Sequence, residues 1–246
     1  EPSFSLLLPV GISFYIFQAV GYMVDIYREK LAPEKNFLKY ALFVSFFPTI
    51  LSGPIQKARN LLPQFDFKKQ LDIDKFRMGI LLMLYGILQK VFVADNIAVI
   101  VNTIYDNYLN YQGIYYLLAA ILYSFQIYAD FSSYSDIARG VAFMLGVDVG
   151  KNFSNPYLST NLVDFWKNWH ISLNSWLVEY VYIPLGGSKK GVFRKHVNTM
   201  IVFLISGLWH GASWNFVIWG LLHGICVIIE RYTNCHKKIG KWTSVF

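Results

Sequence analysis

The chain has 246 residues, 55% of them hydrophobic and 18% aromatic, and only 15% are charged. An ordinary soluble domain carries about a quarter charged residues, so a large soluble protein is excluded in favour of an all-helical, polytopic membrane protein. The net charge of +7 lies in separate blocks, with no nucleic-acid motif of interleaved basic and aromatic residues, so nucleic acid is not expected as a partner.

Apolar runs set the expected elements in chain order. Leu6 to Tyr27 holds one charge, Asp25, and reads as a first span that Pro9 and Gly11 can kink. Tyr40 to Gly53 is too short to cross comfortably and contains Pro48, which predicts a re-entrant or half-span element. Phe65 to Phe76 is a polar, charged connection. Spans follow at Arg77 to about Val101 and at Ile114 to Ala129, the second with no charge. Tyr134 to Leu145 reads as a separate amphipathic helix in which Asp136 and Arg139 sit at a pairing distance.

Beyond the turn-rich segment 155–161, where Ser159, Thr160 or Asn161 can cap a helix, Leu162 to Val181 has a helical pattern. Trp166, Trp169, Leu173, Trp176 and Leu177 form one apolar stripe, the mark of a helix lying at a membrane interface. The segment 183–191, IPLGGSKKG, ends it. Two last spans, about Val197–Trp209 and Trp214–Arg231, are joined by a tight turn at His210 to Ser213.

Charge distribution assigns sides. Ten Lys and Arg fall between Arg28 and Arg77, six between Lys151 and Lys195, and four between Arg231 and Lys241, whereas Asn102–Gly113 and Gly211–Ser213 have none. Basic segments stay cytoplasmic, so the expected location is a multi-pass cytoplasmic membrane, with the basic residues also contacting anionic lipid. Cys226 and Cys235 show neither metal-ligand spacing nor a disulfide framework, and no metal is expected.

No nucleophile elbow, HExxH helix or Walker loop is present, and Gly186-Gly187 with Lys189 and Lys190 reads as a turn. Histidine remains, in two Trp-His pairs, Trp169-His170 and Trp209-His210. An imidazole titrates near physiological pH and can take a proton from a hydroxyl as that oxygen attacks an activated carbonyl. His210 ends a span beside the small residues Gly211 and Ala212, with Trp209 and Trp214 as walls, and is the expected base. His170 shares its segment with Asp164, Lys167 and Asn168. His223 reads as a helix–helix hydrogen bond, His196 and His236 as solvated loop positions, and Asp130 as an acid that can orient a histidine.

Three blocks resemble the membrane-bound O-acyltransferase family, in particular its alginate O-acetyltransferase branch, with the teichoic acid D-alanyl transferases as cousins. They are FPTILSGPI at 47–55, DFWKNWHISLNSW at 164–176 with YIPLGG at 182–187, and SGLWHGASWNFVIWGLLHG at 206–224; residues 8–28 also look like that branch. The chain departs from the family's usual block at Asn168, where a second basic residue is common, and at Val178-Glu179, where Arg-Asp is common.

The resemblance implies a helical ring with re-entrant and interfacial helices around a tunnel. Residues 1–246 would form one membrane-embedded core with helices missing at both ends. It implies transfer of an acyl group, acetyl by this branch, from a cytoplasmic thioester to a hydroxyl of an extracytoplasmic polysaccharide or relay protein. Acetyl-CoA or a carrier-protein thioester would be the donor, an SGNH-type acetyltransferase the partner, and D-alanyl transfer to teichoic acid the alternative reaction. His210 maps to the catalytic histidine and His170 to an assisting one, with Trp169, Asp164, Trp166, Trp176, Trp209, Trp214 and Asn215 lining the path. The non-enzymatic alternative is a transporter whose intramembrane histidines relay protons.

Overall fold

The structure, a computed structural model, describes residues 11–66 and 72–233. Its regular elements are all helical, and no strand occurs among the described residues. They fall into two compact units: the chain up to Tyr22 with Leu31–Lys151, and Met23–Lys30 with the chain from Asn152 onward.

Helix α1 (Ile12–Tyr27), whose residues up to Tyr22 belong to the first unit, starts directly after Gly11, whose φ is +79°. Gly11 therefore begins the helix rather than kinking it, and a Cβ there would fall on the Ile50 carbonyl oxygen. Pro9 lies outside the described residues. The expected half-span is a broken pair, α2 (Phe37–Val44) and α3 (Phe47–Ile50), with Pro48 in the first turn of α3. Proline is tolerated there because the first-turn N–H groups have no helical partner. A short α4 (Ala58–Leu61) follows.

Two long helices make the body of this unit. The first runs Ile73–Asp106, as α5 (Ile73–Leu88), a π-helical turn at Gln89–Ala94, and α6 (Asp95–Asp106). The second, α7 (Gly113–Met144), has 32 residues. Gly79 and Gly140 let the two backbones touch, because a Cβ on either would collide with the other's carbonyl oxygen.

The expected stop after Ala129 and separate helix at Tyr134 are corrected: α7 runs through both. Asp130 is held by Lys90 Nζ at 2.6 Å, with Asp95 at 2.7 Å on the same ammonium. Ser133 Oγ turns back to donate to the Asp130 carbonyl at 2.6 Å. Polar groups that suggest a helix end are thus satisfied inside the helix pair. This also corrects the expectation for Asp130, whose carboxylate pairs with a lysine. The Asp136–Arg139 pair forms as expected, at 3.1 Å.

In the second unit, α8 (Leu162–Asn168) and α9 (Ile171–Leu177) are separate helices, followed by a π-helical turn at Val178–Tyr182. The single stripe expected over 162–181 is corrected, since the chain breaks at Trp169-His170. Helix α10 (Gly191–His210) and helix α11 (Trp214–Thr233) form a hairpin over the turn at Gly211–Ser213. Gly207 and Gly220 face each other across it; a Cβ on Gly207 would meet the Phe216 carbonyl oxygen, and one on Gly220 that of Phe203. Helix α10 begins six residues earlier than expected of a span, so His196 lies on its second turn, not in a loop.

Among the described residues, three stretches are long and apolar enough to cross a membrane: Ile73–Asp106, Gly113–Met144 and Trp214–Thr233. Helix α10 carries Arg194, Lys195 and His196 in its first two turns.

Candidate active site

Helix α8 is short and is set at its start by three side-chain oxygens. Asn161 is the N-cap, with Oδ1 accepting the Asp164 N–H at 2.7 Å. The Glu230 carboxylate of α11 accepts the Leu162 and Val163 N–H groups at 3.0 and 3.1 Å. A carboxylate also suits the positive end of the helix dipole. These bonds tie the segment carrying Trp166 to the hairpin.

At the end of α8 the chain turns sharply. His170 has φ 43° and ψ 54°, the left-handed region, which is costly for a residue with a Cβ. Asn174 bridges the break, donating from its N–H to the His170 carbonyl at 3.0 Å and from Nδ2 to the Trp166 carbonyl at 2.7 Å. The His170 side chain is buried, 3% exposed. Burial pushes its pKa down from the ordinary value to about 3, and the nearby His210 adds to the depression. The imidazole is therefore neutral at physiological pH.

The turn brings the two Trp-His pairs together. The Trp209 ring lies 5.9 Å from His170 and 4.8 Å from His210, centroid to centroid, edge-on to both. His210 is exposed at the last residue of α10 and also contacts Trp219 at 5.2 Å and Phe216 at 6.1 Å. His223, one turn along α11, meets Trp219 at 4.8 Å and Trp166 at 5.0 Å. It makes ring contacts where a helix–helix hydrogen bond was expected.

Two cavities lead into this cluster. One of about 50 Å³ is lined by His170, Trp166, Trp169, Leu173, Leu177 and Ser206, among others. A larger one of about 240 Å³ shares with it the walls Trp166, Asn174, Val202 and Phe203. Toward the opposite end of the hairpin from His210, the larger cavity is lined by Lys167, Ser188, Thr199 and Arg231. Arg231 is oriented by a 2.9 Å bond to Thr199 Oγ1.

The other expected site residues are distributed unevenly. Trp169 lines the small cavity and stacks on Phe165 at 5.6 Å. Asp164 is turned to Asn161 and Lys167, at 2.7 and 2.8 Å, and lines neither cavity. Trp176 is buried against Tyr180 at 4.9 Å and lines neither cavity. Trp214 is 79% exposed at the start of α11, and Asn215 is exposed beside it, its N–H on Ser213 Oγ.

Asn168 bonds Ser159, and Glu179 takes Lys30 at 3.1 Å, so both departures from the family block are engaged in local contacts. Sequence reasoning missed Phe203, Trp219 and the placement of His223. The i, i+4 spacing of Trp219 and His223 on α11 was the available signal. His236 and Cys235 lie outside the described residues.

A model of the membrane-bound O-acyltransferase family matches residues 28–236. The chain is 41% identical over 226 residues to a probable alginate O-acetylase of Pseudomonas putida, covering 92% of this chain and 46% of that protein. It is 37% identical over 260 residues to a peptidoglycan O-acetyltransferase of Helicobacter pylori, covering 95% and 49%. It is 28% identical over 260 residues to a teichoic acid D-alanyltransferase of Bacillus subtilis, covering 98% and 64%. The chain spans about half the length of the alginate and peptidoglycan relatives it matches. With an all-helical architecture, three helices fit to cross a membrane and a family match over most of its length, this chain belongs to the membrane-bound O-acyltransferase family.

Proposed function

We propose that the chain is the core of an O-acyltransferase of the cytoplasmic membrane that moves an acetyl group from a cytoplasmic thioester to a hydroxyl on the other side. The observation that carries this reading is the Trp209 indole in contact with both a buried histidine lining a cavity and an exposed histidine at a helix terminus. Lys167 and Arg231 line the wider cavity, where they suit the phosphates of acetyl-CoA or of a carrier-borne phosphopantetheine. The relatives named for O-acetylation are more similar to the chain than the D-alanyl one, which favours acetyl.

In this reading His210 takes the proton of the acceptor hydroxyl as its oxygen attacks the thioester carbonyl carbon. The new C–O bond forms, the C–S bond breaks, and the imidazolium returns its proton to the leaving sulfur. The rings of Trp209 and Trp219, both within about 6 Å, favour the transient imidazolium. His170, neutral, packs behind Trp209 and shapes the end of the donor path with Trp166 and Trp169. The acceptor is a surface polysaccharide, reached directly or through an SGNH-type acetyltransferase partner, as the polysaccharide-directed names of the relatives suggest.

The test is transfer of radiolabelled acetyl from acetyl-CoA in membrane vesicles holding the whole protein. The wild type is expected to label polysaccharide, and His210→Ala to reduce labelling to background at equal membrane content. Labelling that persists in the variant would overturn the role of His210. Labelling by D-alanyl carrier thioester alone would overturn the acetyl assignment.

A further inference from the structure

We infer that Asn152 is a positioning residue for His170, holding the backbone turn that aims the imidazole at Trp209. This rests on the reading that His170 assists acyl transfer. A non-glycine residue in the left-handed region is strained and persists only where its surroundings fix it. At His170, besides the Asn174 bonds, the fixing contacts come from the segment 152–154. The Asn152 carbonyl accepts the Ile171 N–H at 2.8 Å, and Asn152 Oδ1 accepts both the Ser172 N–H at 3.3 Å and Ser172 Oγ at 2.6 Å. Two residues on, the Ser154 N–H donates to the Asn168 carbonyl at 3.0 Å.

The segment 152–154 thus takes the backbone groups on both sides of His170 that a continuous helix would have paired within itself. Ile171 and Ser172 are the first residues of α9, whose N–H groups have no helical acceptor. Asn152 is 1% exposed, so water does not substitute for its oxygen. Its side chain acts on Ser172, two residues from the imidazole, and reaches catalysis only through His170. A side chain with no acceptor at 152 releases Ser172 and lets the 168–172 turn relax toward ordinary helix. That rotates the imidazole away from Trp209, while Trp166 and Phe203 on the cavity wall stay in place.

The test compares Asn152→Ala, Asn152→Asp and His170→Ala in the whole membrane protein, by kcat and donor KM for acetyl transfer and by thermal midpoint in detergent. Asn152→Ala is expected to lower kcat by about tenfold to a hundredfold, the scale of a small misplacement of a working group, with donor KM within about twofold. Asn152→Asp retains the oxygen acceptor and is expected to recover activity above the Ala variant. Asn152→Ala added to His170→Ala should lower kcat no further.

If His170→Ala keeps wild-type kcat, the underlying reading of His170 fails. If His170→Ala is impaired while Asn152→Ala keeps wild-type kcat, the inference about Asn152 is overturned. An equal further loss in the His170→Ala background, or loss of kcat and thermal midpoint together with no recovery in Asp, makes Asn152 a structural residue and overturns it as well.

Discussion

Trp209 packs edge-on against the buried His170, ring centroids 5.9 Å apart, and the same indole packs edge-on against the exposed His210 at 4.8 Å. The two Trp-His motifs, far apart in the chain, thereby become one assembly. The indole touches both imidazoles, and its loss is expected to open a path between them.

Trp209→Ala is therefore predicted to uncouple the reaction. Acetyl-CoA hydrolysis without acceptor rises, acetyl transfer falls, and the ratio of transfer to thiol release drops by about tenfold, a shift of roughly 1.4 kcal/mol in partition. Trp209→Phe keeps an aromatic wall and should lie between. Thiol release and polysaccharide labelling measured in the same vesicles check it, and an unchanged ratio counts against the dividing role.

Gly220→Ala is predicted to destabilise the hairpin. The added methyl would fall on the Phe203 carbonyl oxygen, a backbone atom that moves only if α10 and α11 separate. Overpacking of this kind costs about 1–3 kcal/mol. The thermal midpoint of the purified protein should drop, whereas Ala at Gly113, where a Cβ meets open space, should leave it near wild type.

Glu230→Ala is expected to loosen α8, because two N–H groups at its start lose their acceptor and the helix dipole loses its counter-charge. A lost cap costs about 0.5–2 kcal/mol. Glu230→Gln, which keeps one oxygen acceptor, should cost less. Proteolysis between residues 155 and 168 reports the change directly.

The depressed pKa of His170 has a defined sign in stability. Unfolded, the imidazole titrates near 6.5; folded, near 3. Between those values the unfolded state binds the proton and the folded state does not, so the contribution is complete above the upper value and is lost as pH falls through the window. Wild-type protein should lose more thermal stability between pH 7 and pH 4.5 than His170→Gln, which has no proton to take up. Equal losses would contradict a buried neutral imidazole.

Much of the helical framework was legible in the sequence, because uninterrupted apolar runs and Pro48 are local signals. The break at His170 was not. No proline or glycine marks it, and the Trp166-Trp169-Leu173 periodicity argues for a continuous helix. The turn is held by Asn152 and Ser154, sixteen and more residues earlier in the chain, through their backbone groups and the Asn152 side-chain oxygen, and no local pattern announces that pairing. The false stop after Ala129 has the opposite origin: Asp130, Ser132 and Ser133 read as a helix end, yet Lys90 and serine back-bonding satisfy them within the helix pair.

At the site, residue types pointed to the Trp-His pairs, and both converge. Trp214 and Asn215, named from their proximity in sequence to His210, are exposed at the start of α11. Sequence reading took His223 for a helix–helix hydrogen bond and overlooked Phe203; helical spacing from Trp219 and Gly207 brings the two into ring contact.

The central claim is that His210 is the base, and it is tested most directly by the O-acetyl content of surface polysaccharide in cells whose sole copy of the full-length protein carries His210→Ala. Loss of O-acetyl groups to background, with the variant present in the membrane at wild-type level, is the predicted result. O-acetylation at wild-type level in the same cells would contradict it.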